Sequence, residues 1–112
     1  MNMPALQTPN RLVETLDVSV TNGNQNVDYT WLFKLDRHKA RIRIHSNPYG
    51  FQSWAVSEIW SADALRWNEV ARLGESDRHT PNGLTYHPNW RAVAPFEADA
   101  QRLLALTLAI LL

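Results

Sequence analysis

The amino-acid sequence predicts an α+β fold, a five-stranded antiparallel meander sheet with one carboxy-terminal helix packed on a face. Three observations carry this expectation. From residue 11 to 73, apolar and polar side chains alternate with the two-residue period of half-buried strands. Short clusters of Asn, Gly, Pro and Asp interrupt the alternation, so consecutive strands fold back as neighbours. The chain then closes on Leu103-Leu-Ala-Leu-Thr-Leu-Ala-Ile-Leu-Leu112, where Thr107 is the one polar residue and the composition suits a buried helix.

Residues 1–10, with Pro4 and Pro9, read as a loose tail. The first strand sets Leu12, Leu16, Val18 and Val20 on one face and Thr15, Asp17, Ser19 and Thr21 on the other. Asn22-Gly-Asn-Gln-Asn26 turns the chain, since Asn and Gly tolerate positive φ. The second strand is the clearest, with Val27, Tyr29, Trp31, Phe33 and Leu35 alternating against Asp28, Thr30, Leu32, Lys34 and Asp36. After a turn over 36–39, the third strand points Ala40, Ile42 and Ile44 inward and Arg41, Arg43 and His45 outward.

Asn47-Pro-Tyr-Gly50 makes the next turn. The fourth strand, Phe51 to Trp60, is apolar on both faces. Because a buried glutamate is rare, Gln52, Trp54, Val56, Glu58 and Trp60 go outward. Phe51, Ser53, Ala55, Ser57 and Ile59 go inward, where small side chains let a helix lie close. Past the turn over 61–64, the fifth strand sets Leu65, Trp67, Ala71 and Leu73 inward and Arg66, Asn68, Val70 and Arg72 outward; Glu69 is a misfit on the inner face. Residues 74–94 form a long irregular connection with a tight turn at Thr80-Pro-Asn-Gly-Leu84. The helix runs over 95–112, opening on Pro95, with Glu97 and Asp99 complementing its dipole. The whole chain, 1–112, is read as one domain.

Composition narrows the function classes. Hydrophobic residues make up 45%, which excludes general disorder, and the formal net charge of zero gives no global field toward nucleic acid or an anionic membrane. With no cysteine, disulfides, thiolate catalysis and Cys-ligated zinc are excluded. The start of the chain lacks a basic, apolar leader, so a cytoplasmic protein is expected. The final apolar run is too short to span a bilayer, and no membrane partner is expected. The cations are nine Arg against two Lys, and there are five Trp, the two residue types enriched at interface hot spots.

The outward face of the third to fifth strands concentrates those residues: Arg41, Arg43, His45, Trp54, Trp60, Arg66 and Arg72 form the candidate binding set. Pairing Arg43 with Trp54 and Trp60 with Arg66 puts Trp54 opposite Arg72 as well, between two arginines. Such a cation–π ladder stabilises a sheet, stacks the bases of a single strand, or docks an acidic protein surface.

No catalytic residue set is legible. His79 and His87, near Asp77 and Tyr86, lack metal-ligand spacing, the serines lack a nucleophile elbow, and the glycines make no phosphate loop. Neither a metal nor a cofactor is expected, and the chain is read as a non-enzyme.

Phe51-Gln-Ser-Trp-Ala55, Glu58-Ile-Trp60 and Trp67-Asn-Glu-Val70 together resemble a hairpin of small β-sheet proteins from phages and other mobile elements. Where such proteins have a known role, they include anti-CRISPR-type inhibitors of bacterial defence systems. The resemblance implies a protein-binding inhibitor directed at a host defence complex. It carries no functional residues over. A single-stranded nucleic-acid module using Trp and Arg is the alternative. Finally, the helix is apolar nearly all round, which predicts a homodimer through Leu104, Leu108 and Leu111.

Overall fold

The computed structural model describes residues 13–24, 26–35, 37–46, 54–73 and 94–111, with side chains of the helix from residue 97 onward. It is the expected α+β arrangement. Strands β1 (Val13–Asn22), β2 (Val27–Leu35), β3 (His38–Ser46), β4 (Trp54–Ser61) and β5 (Arg66–Leu73) pair antiparallel in chain order, followed by helix α1 (Ala94–Leu111). The expectations for the tail over 1–10, for the turn over 47–50, for Phe51 to Ser53, and for 74–93 with His79 and His87 lie outside the described residues.

β2 is the spine of the core. Val27, Tyr29, Trp31, Phe33 and Leu35 are all buried on one face, as their alternation requires. Ala40, Ile42 and Ile44 of β3, Ala55 of β4 and Leu73 of β5 continue that face, and α1 lies across β3, β4 and β5. Burying each large apolar side chain stabilises by about 1.5–3 kcal/mol.

The helix seats Ala100, Leu103, Leu104 and Thr107 on the sheet, with Leu108 and Leu111 packed beside them. Thr107 donates to the Leu103 carbonyl at 2.7 Å, so the Ser57 hydroxyl is left to donate to Thr107 Oγ1 across the sheet–helix interface. The small side chains of β4 do let the helix approach.

Three details differ from the sequence reading. In β1 the register shifts between Thr15 and Asp17, so Leu16 is the extra residue, 43% exposed, and Val13 fills the core position. In β5 the same device skips Val70: Ala71 pairs with Ser57 and Glu69 with Glu58. From there to its start the strand is inverted. Glu69 and Trp67 lie on the outer face, while Asn68 and Arg66 fall on the helix side. Leu65 sits in the turn instead of the core, 76% exposed and with φ at 54°.

The third difference concerns the helix. Leu104 is buried in its own monomer, and Leu108 and Leu111 pack on the same core, so the dimer surface expected there is already covered. The exposed side of the last turns is Ala105, Leu106, Ala109 and Ile110. None of the described helices is long and apolar enough to cross a membrane.

Candidate functional site

The outer face of β3, β4 and β5 is covered by a ladder of side chains instead of a second helix. Register decides its members, because paired residues share a face. His45 pairs with Trp54, Arg43 with Val56 and Arg41 with Glu58. On the other side of β4, Val56 pairs with Arg72, Glu58 with Glu69 and Trp60 with Trp67. The β3–β4 pairing is two residues away from the expected Arg43–Trp54, which leaves every side chain on its expected face.

Glu58 is the keystone. It is 7% exposed, and its carboxylate accepts from Arg43 Nε at 2.7 Å, Arg43 Nη2 at 3.2 Å and Arg41 Nε at 2.8 Å. Burial alone raises its pKa, but hydrogen bonds and charge from Arg41 and Arg43 outweigh that and hold it below the ordinary glutamate value. A glutamate can thus be outward-facing and still buried, under the arginines it organises.

Each guanidinium held at Glu58 lies against an indole. Arg41 sits 4.3 Å from the centre of Trp67, and Arg43 5.3 Å from that of Trp54. Arg72 approaches Trp54 at 5.9 Å, so Trp54 does lie between two arginines, diagonally and not directly opposite them. His45 stacks on Trp54 at 5.3 Å, and Trp60 meets Trp67 edge-on at 5.5 Å. Two further carboxylates fix the ladder from outside. Asp28 takes His45 Nδ1 at 2.8 Å and the Asn26 amide at 2.6 Å, while Glu69 grips Arg72 at 2.7 Å. The hydrogen bonds that Arg72 donates to Glu69 raise its pKa further, so Arg72 is cationic at every working pH.

Of the seven candidate residues, Arg41, Arg43, His45, Trp54, Trp60 and Arg72 are brought together, and Arg66 is not. Arg66 pairs with Ser61 and belongs to the opposite face by register, because the shift at Val70 inverts that part of β5. The same shift brings in Trp67, which sequence reasoning set inside. Its signal was Glu69, the acidic misfit that marked a broken alternation.

Chemically the face offers donors and no nucleophile. Within the ladder three arginines meet two carboxylates, Glu58 and Glu69, and His45 meets a third, Asp28. Arg41 keeps both Nη groups, and Arg43 and Arg72 their Nη1 groups, outside these bonds. Guanidinium groups held beside indoles in this way can receive carboxylate or phosphate oxygens on the N–H groups they keep. Among the described residues no His, Asp and Glu side chains cluster in a way that could hold a metal ion. Compared with family models, with curated proteins and with solved structures, the chain matches none.

Proposed function

We propose that this chain is a non-enzymatic protein-binding module whose outer β3–β5 face engages its target. The observation that supports the reading is the held row of guanidinium edges over Trp54 and Trp67, half-exposed, with Glu58 fixing them before any partner arrives. Rigid aromatic and arginine anchors are what hot spots are built from, because little side-chain freedom is lost on binding. An inhibitor of a host defence complex, carried by a mobile element, is the specific role that the hairpin resemblance adds to this reading.

Affinity capture from a bacterial lysate tests it. One protein retained by the native chain, and released when Trp60→Ala and Arg72→Ala are introduced into a chain of unchanged circular dichroism, is the expected result. Retention unaffected by those changes, or substrate turnover by the pure protein, overturns it. A nucleic-acid role predicts instead a salt-dependent shift of a labelled oligonucleotide.

Two copies, on this proposal, pair through Leu106 and Ile110, which are 47% and 57% exposed in the last turns of the helix, one turn beyond Arg102. A groove of about 510 Å³ beside them, lined by Arg72, Leu73, Arg102, Ala105 and Leu106, gives a two-fold partner's side chains a place to enter. Light scattering decides the point: Leu106→Glu with Ile110→Glu halves the mass of a dimer, and a monomeric native chain overturns it.

A further inference from the structure

We infer that the row of cations along β3 receives an extended acidic segment of a protein, with carboxylates at every second residue. The inference rests on the binding role proposed for this face and adds the chemistry of the partner. The cations Lys39, Arg41 and Arg43 all point outward from β3, and His45, already held by Asp28, ends the row. Alternate residues of a strand are spaced by roughly 6.8 Å. An extended peptide with Asp or Glu at alternate positions repeats at the same distance, so each carboxylate meets one cation.

Several observations favour this occupant. At the hairpin end of the row, Lys34 stands directly opposite Lys39. Like charges so placed repel, and neither lysine forms an ion pair with a described residue; Glu14, opposite Lys34 on β1, makes none. Among the described residues that charge is not neutralised by an ion pair. Next along the row, Arg41 engages Glu58 through Nε alone and keeps both Nη groups out of that bond. The neighbours on β2, Leu32 and Thr30, add no competing acid beside Arg41 and Arg43, and Asp28 occupies only the His45 end.

The surroundings of Trp54 and Trp67 argue against these two rings as platforms for bases. Base stacking needs a bare ring face. Trp54 is stacked by His45 and approached by Arg43 and Arg72, and Trp67 is approached by Arg41 and meets Trp60 at a steep angle. What the surface presents is guanidinium edges and ammonium groups, which select carboxylates in register.

The test titrates the full chain into fluorescein-labelled peptides. One alternates Glu with Ser; a second has the same composition with its Glu residues in one block; an oligothymidylate of equal charge is the third probe. The alternating peptide binds about tenfold more tightly than either of the others, and the advantage falls as salt rises. Lys34→Glu with Lys39→Glu, both on exposed side chains, removes that advantage, and Arg41→Lys reduces it by losing the fork. Equal binding of the blocked peptide, tighter binding of the oligonucleotide, no binding of any probe, or indifference to the lysine reversal overturns the inference. A protein captured from lysate through Trp60 and Arg72 but insensitive to the lysine reversal leaves the broader binding role standing while this inference falls.

Discussion

Arg43 holds Glu58 with two arms, Nε to one carboxylate oxygen at 2.7 Å and Nη2 to the other at 3.2 Å. The pair joins β3 to β4 on the face that the helix leaves uncovered. Without Glu58, Arg41 and Arg43 would stand two residues apart on one strand with only each other's charge for company.

The first prediction follows from that. Glu58→Gln removes the charge that both guanidiniums share. Breaking a fully buried pair costs about 3–5 kcal/mol, and because these arginines are partly solvated the loss here is about 2 kcal/mol. Urea unfolding of the two proteins measures it. An unchanged midpoint shows that water satisfies the arginines equally well.

A second prediction concerns acid. The folded chain holds the Glu58 proton less readily than the unfolded chain does, since its pKa is lowered on folding. The stabilisation is therefore complete above the ordinary glutamate value near 4.5 and disappears as pH falls through the lowered folded value. Native and Glu58→Gln proteins should differ most in unfolding free energy at neutral pH and converge in acid. Parallel stability–pH curves contradict this.

The third prediction uses the contact between Ser57 and Thr107. Thr107→Val leaves the buried Ser57 hydroxyl without an acceptor there, a loss of about 2 kcal/mol, whereas Ser57→Ala leaves Thr107 still donating to Leu103 and loses only about 1 kcal/mol. Adding Ser57→Ala to Thr107→Val recovers part of the loss. A double-mutant cycle from chemical denaturation reads the asymmetry, and strict additivity refutes it.

Leu65 supplies the fourth. A leucine at φ 54° occupies the left-handed region at a steric cost, and its side chain is 76% exposed, so it gains little from packing. Leu65→Gly should raise the unfolding free energy by about 1 kcal/mol, measured by the same urea titration. A fall in stability would mean that the exposed leucine makes a compensating contact.

How much of this was legible in the sequence depends on the strand. β2 and β3 pair without irregularity, so simple alternation assigned every one of their faces, and the Arg/Trp ladder followed from them. β1 and β5 each contain one unpaired residue, and a single skipped position reverses all that follows. Nothing in Thr15-Leu-Asp17 marks the skip in β1. In β5, Glu69 on an apolar face marked it, yet the reading kept strict alternation and so placed Trp67 inside and Arg66 outside. The helix misled for a different reason. Its composition is apolar all round, so composition could not say which leucines its own sheet would claim; geometry gives Leu103, Leu104, Leu108 and Leu111 to the sheet and leaves Leu106 and Ile110.

The unpaired residues at Leu16 and Val70 have one more consequence. Both sit on the outermost of the described strands, where a sheet otherwise ends in a row of vacant backbone donors and acceptors. A margin interrupted by a bulge is a poorer template for a foreign strand than a straight one, because the ladder breaks and the strand twists at the extra residue.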